Sequence, residues 1–298
     1  MIKSIINFYD NHYKKLFIIP VIILILALAQ IILQTAATGD FVNKGVSLKG
    51  GSTITIAKNI DPLELQDYLD QEFKGAEITV RSLTEAGAQI AVAVESGAQG
   101  PDEIAILLNT IKQKIDLKSD DYTVEIVGAS LGSSFFKQTI IAVIIAFVLM
   151  GLVVFAYFRT LAPSLAVILA AFSDIVVTIA IFNLLGFKLS TAGIAAFLML
   201  IGYSVDTDIL LSSRVLKRKQ GTVFERTLGA MKTGLTMTFT TLVAVILALI
   251  FAQSPIIKQI MIILLIGLII DLINTWLQNA AILRYYLEKK KHKHHESS

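Results

Sequence analysis

Four aspartates stand within long apolar stretches of the sequence, where charged side chains are rare: Asp174, Asp206, Asp208 and Asp271. A carboxylate near the centre of a bilayer costs at least about 2.5–3.5 kcal/mol on insertion scales, so each should face a helix-bundle interior, water or a cationic partner. A carboxyl group that meets water in two different states can take up and release a proton, as in the proton relays of transporters. The alternative for each is a static hydrogen bond between helices or a position at the membrane interface.

Asp206 and Asp208 should differ in what they face. Two residues subtend about 200° on an α-helix, so the two carboxyl groups cannot project along one face. Gly202, Ser204 and Thr207 surround Asp206, and such small or hydroxyl-bearing residues permit close helix approach and interhelical hydrogen bonds. Asp208 lies nearer the cytoplasmic headgroups. The spacing alone leaves open which of the two titrates.

A lysine and a threonine series mark the beginning of a later apolar stretch. Lys232 could neutralise Asp206 or Asp208, or it could simply extend its ammonium group to the membrane interface. The threonines favour a helix face packed against protein rather than lipid. They are Thr233, Thr236, Thr238, Thr240 and Thr241.

The composition indicates a membrane protein. Of the 298 residues, 55% are hydrophobic and 16% are charged, whereas an average soluble domain has about 25% charged residues. The net charge of +3 comes from local basic clusters, which indicate membrane topology rather than nucleic-acid binding. The chain has no cysteine, which excludes disulfides, thiolate metal sites and cysteine nucleophiles. We expect no cofactor, no metal site and no enzymatic activity.

Six apolar stretches are long enough to cross about 30 Å of hydrocarbon. They cover residues 16–33, 139–158, 161–186, 189–213, 233–252 and 256–283. The first exceeds the usual signal-peptide core of about 7–15 residues, so we expect an uncleaved span, with cleavage near Ala37 as the alternative. We divide the chain into a cytoplasmic N-terminus with the first span (1–35), an outer domain (36–135), five further spans (136–285) and a basic tail (286–298).

Basic residues near the ends of the spans predict their orientation. They concentrate between spans four and five, before span one and after span six: Arg214, Lys217, Arg218, Lys219 and Arg226; Lys14 and Lys15; Lys289, Lys290, Lys291 and Lys293. The opposite short loops carry one lysine each, Lys188 and Lys258. We therefore expect a multi-pass protein of the cell membrane with both termini in the cytoplasm. The tail histidines, His292, His294 and His295, are expected to be solvated rather than metal ligands.

Residues 39–128 have the periodicity of a small mixed domain. Alternation around Ile54 predicts a strand, and Asp61 caps a helix that should follow it. Two strands joined by a turn at Gly87, a second helix over 104–115 and a last strand at Val124 give the order βαββαβ. The fold class is therefore an all-α bundle of six transmembrane helices with an extracytoplasmic α+β ferredoxin-like domain. Its charges are scattered and it has no histidine, so we expect a solvated surface, with binding of an extended chain at a sheet edge as the alternative.

Several motifs resemble the SecF family, especially its archaeal forms. The fourth span reads IGYSVDTDILL over residues 201–211, VGASLG lies at 127–132 before the second span, and TFTTL lies at 238–242 in the fifth. A Gly-Gly pair opens the first outer strand as in the family, although Ser47-Leu48 stand where an Asp-Phe pair is usual. The motif residues are Gly50, Gly51, Gly202, Tyr203, Ser204, Thr240 and Thr241. The resemblance covers nearly the whole chain.

The resemblance implies a fourth-span carboxylate tied to proton-coupled work. The bacterial SecF pattern places this carboxylate nearest Thr207, whereas the SecD-like pattern of Val then Asp places it on Asp206, so we choose Asp206 first and Asp208 second. Asp174 matches the third-span aspartate, with Ser173 in place of the bacterial histidine before it. The fifth-span arginine of bacterial members falls close to Lys232 or Thr233, and this sequence therefore departs from their ion pair.

The resemblance also implies partners: SecD in a twelve-span assembly related to resistance-nodulation-division transporters, the SecYE channel, translocating polypeptide and membrane lipids. The leading hypothesis is an auxiliary subunit of the Sec translocase that uses the proton gradient to promote export. One alternative is a small-molecule or lipid exporter of the resistance-nodulation-division type, for which about 90 outer residues are few. Another is a purely structural stabiliser of the channel, whose carboxyl groups serve packing alone.

Overall fold

The computed structural model describes residues 2–85, 88–218, 220–252 and 254–296. The helices are α1 (Ile2–Leu16), α2 (Ile18–Thr38), α3 (Val46–Lys49), α4 (Pro62–Glu72), α5 (Pro101–Lys114), α6 (Ala129–Phe158), α7 (Leu161–Leu184), α8 (Thr191–Lys217), α9 (Val223–Phe251), α10 (Pro255–Ile273) and α11 (Ala280–Glu296). The strands are β1 (Gly51–Ile56), β2 (Thr79–Glu85), β3 (Ala88–Ser96) and β4 (Tyr122–Val127). A 3-10 turn, Ser119–Asp121, precedes β4, and a π-helical segment, Asn274–Asn279, joins α10 to α11.

Within the described residues, six helices are long and apolar enough to cross a membrane, which confirms the predicted bundle. They are α2, α6, α7, α8, α9 and the continuous helix made by α10, the π-helical segment and α11. The most apolar stretch is 67% buried in α7 and 50% buried in α8, but only 6–17% buried in α2, α6 and α9. The interior therefore lies where α7, α8 and the sixth span meet, and polar side chains on their facing sides are shielded from lipid.

The outer domain has the predicted βαββαβ order. Its antiparallel sheet has the strand order β2-β3-β1-β4, which is the ferredoxin-like arrangement. Helices α4 and α5 cover one face, and their apolar side chains enclose a core with those of the sheet. This core includes Ile54, Leu69, Val92 and Ile111, each with no exposed surface. The predicted turn at Gly87 lies outside the described residues.

The Gly-Gly pair lies where the two chain segments between the outer domain and the spans cross. Gly50 and Gly51 have φ angles of 88° and 145°. A Cβ atom on Gly50 would lie 2.6 Å from the backbone nitrogen of Ala129, and one on Gly51 would collide with the carbonyl oxygen of Ser96. Only glycine combines such φ values with so close a backbone approach. The pair therefore serves the geometry of the domain base rather than chemistry.

Polar contacts also join the base of the outer domain to the connection between α7 and α8. Lys188 Nζ donates to Thr79 Oγ1 at 2.6 Å. The backbone N–H of Leu189 donates to the Asn43 carbonyl oxygen at 2.6 Å, and the Asn43 N–H donates to Asn183 Oδ1 at 3.1 Å. A shift of α7 relative to α8 would therefore change the contacts at the base of the outer domain.

The outer domain should fold without the spans, because its own helices and sheet enclose its core. In a fragment of residues 50–128, Leu69→Ala should lower the free energy of unfolding by about 2–5 kcal/mol, because the leucine is fully buried. Leu63→Ala is the matched control on the same helix. Leu63 is 74% exposed, so its replacement should change the free energy by less than about 0.5 kcal/mol.

Urea denaturation followed by circular dichroism measures both changes. A broad, non-cooperative transition of the unmodified fragment would show that the domain depends on the spans. Equal losses in the two variants would show that the described core is not the one that stabilises the fragment.

Candidate functional site

Three of the four intramembrane aspartates meet inside the helix bundle. Asp174 comes from α7, Asp208 from α8 and Asp271 from α10, and at most 1% of each residue is exposed. Four polar residues contact them through side-chain hydrogen bonds: Ser204, Asn274, Thr275 and Asn279. We call these seven residues the acid cluster. Because its members come from α7, α8 and the sixth span, any change within it acts on the contacts among the three innermost spans.

Asp174 is held by neutral donors from two other spans. The Ser204 hydroxyl of α8 donates to Oδ2 at 2.5 Å, and the Asn274 amide of the π-helical segment donates to Oδ1 at 2.7 Å. Ser173, the preceding residue, is also buried but donates to the Leu169 carbonyl of its own helix. Asp174 therefore connects three spans through hydrogen bonds and not through an ion pair.

Asp208 and Asp271 share one hydroxyl group. Thr275 Oγ1 lies 3.0 Å from Asp208 Oδ1 and 3.0 Å from Asp271 Oδ1. A hydroxyl has one hydrogen and can donate to only one of these oxygens at a time. The second contact becomes favourable when its carboxyl group carries a proton and donates to the threonine oxygen. The Asp208–Thr275–Asp271 arrangement thus has a place for one proton held between two carboxyl groups.

No basic side chain in the described part of the chain forms an ion pair with the acid cluster. The buried Arg284 pairs instead with Asp10, at 2.7 Å. Asp208 has further acceptor capacity, because Asn279 donates to its Oδ1 at 2.7 Å while its Oδ2 has no partner among the described residues. Three carboxylates without a cation cannot all be charged in an apolar interior. Protons can supply the missing balance at the carboxyl oxygens themselves.

The π-helical segment supplies most of the polar partners. It carries Asn274, Thr275, Gln278 and Asn279, all buried. A π-helical turn inside an α-helix inserts an extra residue and is frequent at functional sites. Here it turns the four polar side chains toward α7 and α8. We did not predict the segment, although four polar residues within six positions of an apolar span were a visible signal of an interior site.

The structure places Asp206 outside the acid cluster. The side chain is exposed on α8, whereas Asp208 on the opposite side is buried, in agreement with the 200° that separates them. Gly202 and Tyr203 share the exposed face of Asp206, and Tyr203 is 40% exposed. Of the motif residues Gly202, Tyr203 and Ser204, only Ser204 belongs to the acid cluster.

The fifth-span candidates also lie away from the acid cluster. Lys232 is exposed and forms no ion pair with Asp206 or Asp208 within the residues described. The hydroxyl groups of Thr240 and Thr241 donate to the Met237 carbonyl oxygen of their own helix, at 2.7 Å and 3.1 Å. The hydroxyl groups of these threonines thus form hydrogen bonds within α9, and their side of α9 faces outward.

Comparison with known proteins places this chain in a family. The family model described as protein export membrane protein SecD/SecF, C-terminal, matches residues 107–289. The protein-export membrane protein SecF of Pyrococcus furiosus is 39% identical over 282 residues, which cover 94% of this chain and 93% of that protein. SecF of Methanocaldococcus jannaschii is 40% identical over 286 residues, which cover 92% of this chain and 96% of that protein.

A solved structure has the same fold. The crystal structure of SecDF, a translocon-associated membrane protein from Thermus thermophilus, aligns with a TM-score of 0.72 at 19% identity. The alignment covers 94% of this chain but 38% of the SecDF chain, so this protein spans well under half of that length. From the sequence relationships and the shared fold, this chain belongs to the SecF family of protein-export membrane proteins.

Proposed function

We propose that this protein is an auxiliary subunit of the Sec translocase that promotes protein export by using the proton gradient. The observation that carries the proposal is the Asp208–Thr275–Asp271 arrangement, in which one hydroxyl hydrogen serves two buried carboxyl groups. Membership in the SecF family supports a role in protein export, and this arrangement supports coupling of export to the proton gradient. A proton that crosses 100 mV supplies about 2.3 kcal/mol, which shifts a two-state equilibrium about fiftyfold.

The coupling would act through the contacts between the three innermost spans. Loss of a proton from the acid cluster changes which groups donate between α8 and the π-helical segment, and therefore their relative position. Asn183 at the end of α7 donates to the Phe41 carbonyl oxygen at 3.0 Å, and Lys188 donates to Thr79 of β2. A rearrangement of α7 and α8 would in this way move the base of the outer domain, which meets the emerging polypeptide.

We propose SecD as the partner that covers the exposed face of α8. Asp206 forms no ion pair within the described part of the chain, and such a carboxyl group is costly against lipid. The related SecDF chain is more than twice as long as the matched part. A partner's spans over this face would shield Asp206 from lipid and give it a role at the interface. The SecYE channel and membrane lipids are the remaining contacts of the assembly.

A structural role is the second candidate. The neutral donors around Asp174 would also suit a static hydrogen-bonded core that only holds the spans together. In that case a neutral amide would replace a carboxyl group without loss, because it is less costly in the membrane and still forms hydrogen bonds. The two candidates therefore make opposite predictions for an Asp-to-Asn replacement.

Asp208→Asn should insert and accumulate normally but lose gradient-dependent stimulation of export, because asparagine cannot release a proton. Asp206→Asn, two residues away on the exposed face of the same helix, is the matched control and should retain most of the stimulation. The measurement is export of a secreted precursor by cells or vesicles with and without an ionophore. Asp208→Glu should keep part of the stimulation, since it still titrates.

The reverse pattern would reject the acid cluster as the coupling site. Full stimulation in Asp208→Asn with loss in Asp206→Asn would move the coupling to the exposed face of α8. Full stimulation in both asparagine variants, with a defect in Asp208→Glu from its extra length, would support the structural role.

The proposed orientation places the outer domain outside the cell and the loop between α8 and α9 in the cytoplasm. Because the chain has no cysteine, single cysteines can report the side directly. In intact cells, an impermeant maleimide should label Leu63→Cys, whose site is exposed on the outer domain, and should label Arg218→Cys only after permeabilisation. Labelling of Arg218→Cys from outside would reverse the topology.

A further inference from the structure

The N-terminal helix α1 reaches the π-helical segment through one hydrogen bond. Tyr9 Oη donates to the carbonyl oxygen of Trp276 at 2.6 Å, between residues 267 positions apart in the chain. Trp276 follows directly after Thr275, the residue that contacts both Asp208 and Asp271. The Tyr9 side chain, which lies outside the acid cluster, thus forms a hydrogen bond with the backbone of the segment that carries Thr275 and Asn279.

The π-helical geometry deprives the Trp276 carbonyl of its α-helical donor. In an α-helix the amide of residue 280 would donate to the carbonyl of residue 276. Here the Ala280 N–H donates to the Thr275 carbonyl instead, one residue further back. The carbonyl of Trp276 is therefore deprived of its α-helical donor at the end of the π-helical segment, and the Tyr9 hydroxyl occupies that position. A carbonyl left without a donor in an apolar environment is strongly unfavourable.

Tyr9 is itself firmly held on the cytoplasmic side of the bundle. Its neighbour Asp10 pairs with the buried Arg284 of α11 at 2.7 Å. The Arg284 guanidinium lies 4.1 Å from the ring centre of Tyr13 and 5.2 Å from that of Phe224, at the beginning of α9. Burial raises the pKa of Tyr9 to about 12, so its hydroxyl keeps its hydrogen at physiological pH and remains a donor.

We propose that Tyr9 is a positioning residue for the acid cluster, which fixes the π-helical register that brings Thr275 and Asn279 to Asp208. Without the hydroxyl, the extra residue of the π-helical turn is free to migrate along the sixth span. Each step of one residue rotates the side chains it passes by about 100°. In that case Thr275 and Asn279 point away from Asp208. In the intact protein, α1 is therefore the element through which the cytoplasmic side controls the intramembrane carboxyl groups.

The ionisable groups around this connection are few. Facing the cluster are Asp174 on α7, Asp208 on α8 and Asp271 on α10, while α2 contains no ionisable residue. Lys232 on α9 is exposed. On α1 and α11, Asp10, Tyr13, Arg284 and Glu288 contact one another at the cytoplasmic end. A change that removes only the Tyr9 hydroxyl therefore alters the cluster through the backbone and not through a lost charge.

Infrared spectroscopy of the purified full-length protein in lipid vesicles tests the proposal. At a pH low enough to protonate the cluster, the C=O band lost in Asp208→Asn identifies the Asp208 carboxyl group. Tyr9→Phe should shift this band to higher wavenumber, because the carboxyl group loses hydrogen bonds from Thr275 and Asn279. Tyr13→Phe is the matched control. Tyr13 lies one turn after Tyr9 on α1, and its hydroxyl donates to Glu288 of α11. Removal of this hydroxyl should leave the band in place.

An unchanged Asp208 band in Tyr9→Phe would overturn the proposal, and so would equal shifts in Tyr9→Phe and Tyr13→Phe. The importance of Tyr9 for export rests on the proposed function, but the infrared result does not. A shifted band with fully retained gradient-dependent export would support the positioning role of Tyr9 and reject proton coupling at the cluster. Loss of export in Tyr9→Phe without a band shift would count against positioning.

Discussion

The cost of a carboxyl group in hydrocarbon determines how the spans of this protein are arranged. Helices α2, α6 and α9 expose most of their apolar surface, whereas α7, α8 and the sixth span turn Asp174, Asp208 and Asp271 toward one another. Each of these three spans has one rotation about its axis that hides Asp174, Asp208 or Asp271, and on α8 this rotation leaves Asp206 exposed. Once that rotation is set, Ser204 and Asn274 lie within hydrogen-bonding distance of Asp174. The interior polar contacts thus follow from a single energetic constraint.

The choice of neutral donors rather than a buried cation has consequences for function. A buried ion pair is expensive to break, because removal of one partner leaves the other charge uncompensated. Hydrogen bonds from Ser204, Thr275 and Asn279 are compatible with both the charged and the protonated carboxyl group, since these residues can adjust their donors. Such a cluster holds the spans together in either state. Under the proposed function, the cluster would exchange a proton while the helix bundle stays assembled.

The sequence predicts the elements of this fold well because their signals are local. Span lengths, the alternation around Ile54 and the cap at Asp61 depend on neighbouring residues, and the βαββαβ order follows from them. The choice between Asp206 and Asp208 is not local. Their spacing shows that they face opposite directions, but the inner direction depends on how α7 and the sixth span pack against α8. The SecD-like pattern favoured Asp206, which lies on the exposed face.

The π-helical segment and α1 escaped prediction for related reasons. The extra residue has no fixed sequence signature, and its place is set by partners distant in the chain. These partners are Asp208 for the side chains of Thr275 and Asn279, and Tyr9 for the carbonyl of Trp276. Similarly, the crowding of Gly50 by Ala129 becomes apparent only when β1 and α6 are brought together.

The same distortion is thus stabilised from two sides, and thermodynamic linkage makes their effects mutual. If the Tyr9 hydrogen bond favours the register in which the acid cluster is assembled, assembly of the cluster must favour the docking of α1 by the same free energy. A proton that alters the bond between Thr275 and Asp208 then changes how tightly α1 is held beside Arg284. The outer domain is connected to the same spans through Lys188 and Thr79. Under the two proposals, protonation at the centre of the bundle would act on both ends of the protein, and no separate element would be needed to carry the change to either side.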